Sequence, residues 1–478
     1  MIGLIVFIYA FCLLFIFSFS ISQLYLTFYA KKYKHNVSEQ NTLDVYPTVC
    51  IQLPVYNEQN VIVSLLQCID KINYHKEKIT IQVLDDSTDE TSNLVQSFIA
   101  SKPNHHFEHI QRKNRKGFKA GALAYGLTLT DAEYVAIFDA DFQPSSDFLI
   151  QTLQYFKNEK IGLVQARWTF INQDFSFLTQ LQAFGLHAHF NIEQQARNAS
   201  SSFINFNGTC GVWRRKTIED AGGWQDDTLT EDLDLSYRAQ LKGWKFMYLH
   251  HLPVPSELPV QLQAVRNQQF RWNKGGAETA KKIMLKVWTS NISLRTKMLA
   301  SFHLLNSSIF LFLMVAALLS VPMLMIKQNY ASLQTFFLAG TFLFIGFFSI
   351  VYFYYRSEVV NNKTKFISFL FRFFSFISMN MAMSFYNGLA VFKGWIGQKS
   401  EFVRTPKLNH FNHYIELKKR KYFLYRPWRH VIIELILLLY FSFGIYVGIQ
   451  IADGGLFFFH GLLCLGFILL IYQGIKHG

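Results

Sequence analysis

The sequence predicts an α/β domain, a mostly parallel sheet with helices on both faces, inserted between transmembrane α-helices. Three observations carry that prediction. Long apolar runs at 2–24, 298–326, 331–354, 430–450 and 455–473 flank a stretch of mixed composition at about 31–296. Within that stretch, short β-branched runs alternate with segments of helical apolar spacing, the pattern of strand–helix–strand units. Two of those runs end in acidic clusters, Asp85-Asp86 and Asp139-Ala140-Asp141, at the edge of an open parallel sheet where ligands bind.

The membrane assignment rests on composition. Hydrophobic residues make up 51% of the 478 residues, with 49 phenylalanines, and the excess is concentrated in the five runs. Each approaches the roughly 20 residues that a bilayer-crossing helix needs. The run at 2–24 lacks a basic leader and a small-x-small cleavage site, so it reads as an anchor rather than a signal peptide. Lys31, Lys32 and Lys34 follow it and place its end in the cytoplasm. This divides the chain into an N-terminal transmembrane helix (1–30), a cytoplasmic domain (31–296) and a C-terminal membrane domain (297–478). The protein is expected to be a multi-pass membrane protein, in the inner or plasma membrane if bacterial.

The five cysteines, at 12, 50, 68, 210 and 464, form no Cys-x-x-Cys pair, which argues against a disulfide framework or structural zinc. A net charge of +14 suits anionic lipid surfaces and anionic substrates. No interleaved basic-aromatic strand or recognition helix accompanies it, so no nucleic acid partner is expected.

Along the mixed stretch, strands are expected at 48–53, 79–84 and 135–138, with helices at 58–72 and 87–100. The segment 365–392 is apolar but interrupted by Arg372, Asn380, Ser384 and Asn387, and it leads into a basic stretch holding Lys418-Lys419-Arg420-Lys421. Keeping that stretch cytoplasmic requires 365–392 to lie along the interface or to fold back as a hairpin, which leaves five crossings. The basic segment 282–297 reads as an interfacial lead-in to the second span. The short stretch after the last run leaves no room for a C-terminal regulatory domain.

Four groups of residues point to chemistry. Asp139 and Asp141 place two carboxylates where they can share one hard cation, Mg²⁺ or Mn²⁺, with a phosphate-bearing substrate; a solvated turn is the ordinary alternative. Leu53-Pro54-Val55-Tyr56-Asn57-Glu58 closes the first strand with an aromatic ring on which a base can rest, while Asp86 or Glu58 accepts hydrogen bonds from the base edge or a ribose. Asn57 is also a natural helix cap. Arg115-Lys116-Gly117-Phe118-Lys119-Ala120-Gly121 is a basic, glycine-containing loop suited to phosphates, chiefly through Lys119.

Thr230-Glu231-Asp232 opens a helix. Thr230 caps it, and acids in its first turn suit the helix dipole. The dipole does not account for the Gly222-Gly223-Trp224 loop ahead of it. A carboxylate beside a sugar hydroxyl can act as general base, and Asp232 is given that role. In Gln268-Gln269-Phe270-Arg271-Trp272 the guanidinium can hold a diphosphate and the indole can stack on a sugar. Membrane-interface anchoring is the competing account.

Together these motifs resemble the membrane-embedded family 2 glycosyltransferases, the group of cellulose synthase-like, glucomannan synthase-like, hyaluronan and chitin synthases. The likeness runs from Pro54 to Lys407, and the wording of the motifs is similar to the glucomannan branch. The resemblance implies a GT-A fold and a nucleotide-sugar donor, UDP- or GDP-hexose. It implies a donor site of Pro54, Tyr56, Glu58, Asp86, Lys119 and Asp139, a metal on Asp139 and Asp141, and a diphosphate site of Gln268 and Arg271. Gly208, Thr209 and Cys210 look like the acceptor-side loop, with Glu231 and Trp272 also on the acceptor side. The segment 401–407 is similar to a gating loop, with Phe402, Thr405 and Lys407 in register and Arg404 where valine is usual.

The reaction so implied is inverting and processive. Asp232 deprotonates an acceptor hydroxyl, which attacks the anomeric carbon of an α-linked nucleotide sugar and extends a β-linked polysaccharide, with export through the membrane helices. Two alternatives stand beside it: transfer of one sugar to a lipid acceptor, as in ceramide glucosyltransferases, and a non-catalytic scaffold or transporter.

Overall fold

The computed structural model describes residues 2–31, 43, 45–102, 106–330, 340–361, 365–400, 407 and 428–477. Helix α1 (Ile2–Ala30) is apolar almost throughout and leads into the globular domain. There the chain alternates through β1 (Val49–Val55), α2 (Ile62–Asp70), β2 (Ile79–Asp85), α3 (Thr91–Ala100), β3 (Phe107–Gln111), α4 (Phe118–Leu127) and β4 (Tyr134–Ile137). All four residues of β4, and all of β1 except Pro54, are buried, as expected for parallel strands covered on both faces.

The second half of the domain follows with α5 (Phe148–Leu153), β5 (Ile161–Phe170), α6 (Phe177–Ala188), a π-helical turn (His189–Gln194), α7 (Gln195–Ala199), β6 (Gly211–Arg214), α8 (Arg215–Asp220), α9 (Glu231–Leu241) and β7 (Lys245–Ser256). The seven strands form one sheet in the order β3-β2-β1-β4-β6-β5-β7. All neighbours are parallel except β6, which runs antiparallel between β4 and β5. One hydrophobic core, built on Ile51, Leu53, Val83 and Phe148, covers one face of the sheet. A second, around Trp213, Leu123 and Tyr248, covers the other. The expected mostly parallel sheet is present, and the antiparallel strand is an addition to it.

After β7 come α10 (Leu262–Thr289), α11 (Leu294–Leu304), α12 (Ser308–Asn329), α13 (Leu343–Asn361), α14 (Phe366–Ile396), α15 (Trp428–Gln450) and α16 (Phe457–His477). Among the described residues, five helices are long and apolar enough to cross a membrane: α1, α12, α14, α15 and α16. The run at 298–326 does not form one span. It breaks between α11 and α12 at Leu305, Asn306 and Ser307, where a polar turn interrupts the apolar register. Residues 331–339 lie outside the described residues, and α13 runs past Tyr354 to Asn361.

The hairpin alternative for 365–392 is overturned, because α14 is one continuous helix. Its interrupting side chains have partners that spare it a bend. Arg372 pairs with Glu358 of α13 at 2.6 Å, and Asn387 donates to Gln269 of α10 at 2.8 Å. The helix touches the globular domain near both of its ends. Phe369 and Phe376 pack on Phe184 of α6, and the Trp395 carbonyl accepts from Lys281 of α10 at 2.9 Å. Between these contacts the helix packs against α10, α12 and α16. Lys418-Lys419-Arg420-Lys421, Phe402 and Thr405 lie outside the described residues.

Candidate active site

The carboxyl ends of β1, β2 and β4 border an open cleft with about 1350 Å³ of empty space, its mouth included. The turn Asp139-Ala140-Asp141 after β4 forms its floor. Pro54, Tyr56 and Glu58 after β1, Asp86 after β2, and Arg115, Phe118 and Lys119 at the start of α4 form one wall. Thr230, Glu231 and Asp232 at the start of α9, with Gln268, Arg271 and Trp272 of α10, form the other. Lys407 lines it as well. Acids and signature residues distant in sequence therefore converge on one cavity.

Two lysines neutralise the floor. Lys119 Nζ contacts Asp139 Oδ1 at 2.5 Å and donates to the Gly208 carbonyl at 2.9 Å. Lys407 Nζ contacts Asp141 Oδ2 at 2.7 Å, and its own carbonyl accepts from Asn60 at 3.0 Å. Burial alone would lower both ammonium pKa values. The facing carboxylates outweigh it, led by Asp139 for Lys119 and by Asp141 for Lys407, so both stay raised and charged. Asp139 is further fixed through its backbone N–H, which donates to Thr209 Oγ1 at 2.8 Å.

Asp232 is placed differently. Burial first, and the neighbouring Glu231 charge second, push its carboxyl up to about 7 against the Leu233 N–H and Lys119. A carboxyl poised there exchanges a proton near neutral pH, as a general base requires. Gly208 lies against it: φ is +82° and an added Cβ would stand 3.2 Å from Asp232 Oδ2. Only glycine adopts that backbone at so close an approach without strain. On the same wall as Asp232, burial lowers the Arg271 guanidinium pKa, opposed in part by the charges of Glu231, Asp139 and Asp232.

Asp85 and Asp86 part company. Asp86 lines the cleft and pairs with Arg112 through Nε at 2.9 Å and through a second guanidinium nitrogen. Asp85 turns into the core, bonded to His109 at 2.8 Å, Ser92 at 2.5 Å and the Ser87 N–H at 2.9 Å. Burial pushes its carboxyl up, but these partners overcome that and hold it well below the usual carboxylate range. The Tyr56 ring is covered by the Arg115 guanidinium, 3.3 Å above its centroid, a planar cation where a planar base would rest.

Several expectations are corrected. Thr209 and Cys210 are completely buried and do not line the cleft; the hydroxyl of Thr209 turns inward to Asp139, and of the expected loop only Asn207 and Gly208 face the cavity. Asn57 caps no helix. It sits at φ 56° and bonds across to Thr88 and Ser87, tying the first loop to the second. Thr230 stands at the N-cap position, but its hydroxyl bonds Thr279 at 3.0 Å instead of closing the helix end. Sequence reasoning missed Phe142, Trp168, Phe170 and Glu257, which also line the cleft. They come from β4, β5 and β7 ends that carry no short motif.

The lining fits a hard divalent cation. It offers the paired carboxylates of Asp139 and Asp141 and neither a thiolate nor an imidazole, the oxygen-only chemistry such ions take alongside substrate phosphates. Among the described residues, no group of three or more His, Cys, Asp or Glu side chains is arranged to hold a metal by itself. The two lysine ammonium groups stand on those carboxylates as positive stand-ins.

Residues 47–275 match the model of the glycosyltransferase-like family 2. The chain is 45% identical over 273 residues to a probable glucomannan 4-beta-mannosyltransferase of Oryza sativa subsp. japonica, covering 55% of this chain and 46% of that protein. It is 44% identical over 261 residues to a glucomannan 4-beta-mannosyltransferase of Arabidopsis thaliana, covering 53% and 49%. It thus spans about half the length of the curated relatives it matches. A mannosyltransferase from Pyrobaculum calidifontis, solved with GDP-Man and Mn²⁺, superposes with a TM-score of 0.54 at 18% identity, over 80% of this chain and 100% of that one. The globular stretch is thus similar to family 2 glycosyltransferase domains, and its fold is of the GT-A type.

Proposed function

We propose that the protein transfers mannose from a nucleoside-diphosphate mannose to a hydroxyl of a growing β-1,4-linked glycan, with inversion at the anomeric carbon. The observation that carries this is the single cleft that Asp232, with its carboxyl near neutrality, lines together with Lys119, Arg271 and the Asp139/Asp141 turn. The relatives' named activity supports the choice of sugar and linkage.

In this reading, Asp232 takes the proton of the acceptor hydroxyl as its oxygen attacks the anomeric carbon. The bond to the diphosphate breaks on the opposite side. Lys119 and Arg271 face the charge that develops on the leaving group, fixed in place beforehand so that no reorganisation is needed. Asp139 and Asp141 would hold a divalent cation, which when bound supplies Lewis-acid stabilisation of the diphosphate. Tyr56 and Asp86 hold the base, with Arg115 yielding the ring face to it. Trp272 and the Asn207–Gly208 edge seat the acceptor, and the rate owes much to this alignment.

Helix α14, bound at both ends to the domain, lies at the membrane interface rather than crossing it, and α13 returns the chain to the domain's side, so that α1, α12, α13, α15 and α16 make five crossings. The domain then faces the cytoplasm, on the side marked by Lys31.

The test is incubation of the reconstituted protein with a panel of labelled UDP- and GDP-hexoses, followed by product sizing. Polymer from a mannose donor supports the reading, and a single-sugar glycolipid or no transfer refutes it. Asp232→Asn is expected to keep nucleotide binding and abolish transfer.

A further inference from the structure

One face of α10 carries a polar stripe behind the cleft that the reaction scheme does not use. Lys274 is buried, 1% exposed, which is costly for an ammonium unless it is paired. Its Nζ reaches Glu278 at 3.2 Å and Ser400 Oγ at 2.8 Å. Glu278 in turn accepts the backbone N–H of Leu229 at 2.9 Å. One residue on, Thr279 Oγ1 meets Thr230 Oγ1 at 3.0 Å. A turn later, Lys282 reaches Asp234 at 2.9 Å and Asp227 at 2.6 Å.

Apart from those of Lys274, these contacts fall on the segment that enters α9, immediately before and after Asp232. The backbone approach is close as well. A Cβ at Gly275 would stand 2.6 Å from Thr230 Cγ2 and 2.9 Å from the Leu229 carbonyl carbon, so the Leu229–Thr230 backbone lies flat on the helix. Earlier on the same helix, Gln268, Arg271 and Trp272 enter the cleft. A helix is stiff along its axis, so groups bound to it keep a fixed separation.

We infer that α10 acts as a ruler: Glu278 and Thr279, with Lys274 holding Glu278, are positioning residues that set the distance between Asp232 and the Arg271/Trp272 pair. This rests on the transferase reading above. The carboxylate of Glu278 does not reach the cleft, so it acts only through the Leu229 backbone. Loss of a hydrogen bond to this segment lets the start of α9 drift, and misplacement by about 1 Å costs on the order of 100-fold in rate. The nucleotide contacts, made by Tyr56, Asp86 and Lys119 and by Arg271 on α10 itself, are left alone.

The experiment uses the full-length protein in nanodiscs, with four variants: Glu278→Leu, Glu278→Gln, Thr279→Val and Thr279→Ser. Steady-state sugar transfer is measured beside nucleoside-diphosphate binding by calorimetry. Glu278→Leu and Thr279→Val are expected to lower kcat about 10- to 100-fold, with the donor KM and nucleotide Kd within about twofold of wild type. Glu278→Gln and Thr279→Ser keep an acceptor or a hydroxyl in place and are expected to restore kcat to within a few-fold of wild type. The inference is overturned if kcat survives in Glu278→Leu and Thr279→Val, or if donor KM and nucleotide Kd worsen in step with kcat. Thr279→Val is nearly isosteric and keeps the test intact if Glu278→Leu fails to fold. If the wild-type protein transfers no sugar from any donor, the transferase reading fails instead.

Discussion

The ionisation of Asp232 gives the sharpest test of the proposed chemistry. Its carboxyl is pushed up to about 7, by burial first and by the Glu231 charge second. A general base works only when ionised, so kcat/KM should rise with pH and level off above the midpoint. With a midpoint near 7, roughly a tenth of the sites are active at pH 6 and roughly nine-tenths at pH 8. Glu231→Gln removes the like charge while keeping the shape. A neighbouring carboxylate of this kind is worth about one pH unit, so the midpoint of the variant should fall to about 6. Normalised to its own plateau, its rate at pH 6 then rises from roughly a tenth to roughly a half. The assay is labelled-sugar incorporation by reconstituted protein between pH 5.5 and 8.5 at subsaturating donor. Burial, the first cause, is untouched, so the limb should not vanish. A Glu231→Gln midpoint that stays put or moves upward would refute the assignment of Asp232 as the base.

Three further outcomes follow from other contacts. Lys407→Met frees Asp141 Oδ2 from its ammonium, and Mn²⁺ affinity in the absence of nucleotide, read by electron paramagnetic resonance, should tighten about tenfold, since like charges no longer compete for one carboxylate; unchanged affinity would show that Lys407 does not occupy the cation's seat. Tyr56→Ala removes the ring now under Arg115, and nucleoside-diphosphate binding should weaken about 10-fold or more, the worth of one stacked base. Where α10 meets the membrane domain, the buried pair of Arg266 and Glu434, joined by Tyr386 at 2.9 Å, should cost about 3–5 kcal/mol when broken by Glu434→Leu alone. Replacing both by apolar residues should recover most of the loss in detergent melting; equal melting of single and double variants would contradict this.

What could be read from the sequence was whatever sits at the end of a buried strand. Asp139 and Asp141 were legible because a β-branched run stops there, and Asp232 because an acid trio opens a helix. Asp85 and Asp86 were not separable, since successive residues at a strand end face opposite ways and only register decides which enters the cleft. Trp168 and Phe170 were hidden because β5 carries no motif and is buried over its first six residues without alternating. The antiparallel β6 is four residues long, too short for periodicity to detect. The break at 305–307 was missed because apolar content alone does not register a turn made by Asn306 and Ser307. Lys274 and Glu278, four apart on an amphipathic helix, look like any solvated ion pair until the packing of the 229–230 segment is known.

The spacing of α10 carries a consequence for how such a chain can vary. Arg271 and Glu278 are seven residues apart, nearly two full turns, so they project within about 20° of one another. A single-residue insertion between them would swing the two groups out of phase by about 100°, aiming one set away from its target whatever its identity. Surface loops of this fold can lengthen at will, but here length itself is constrained, and a homologous chain that gained or lost one residue between Trp272 and Glu278 would have to unwind a turn to survive.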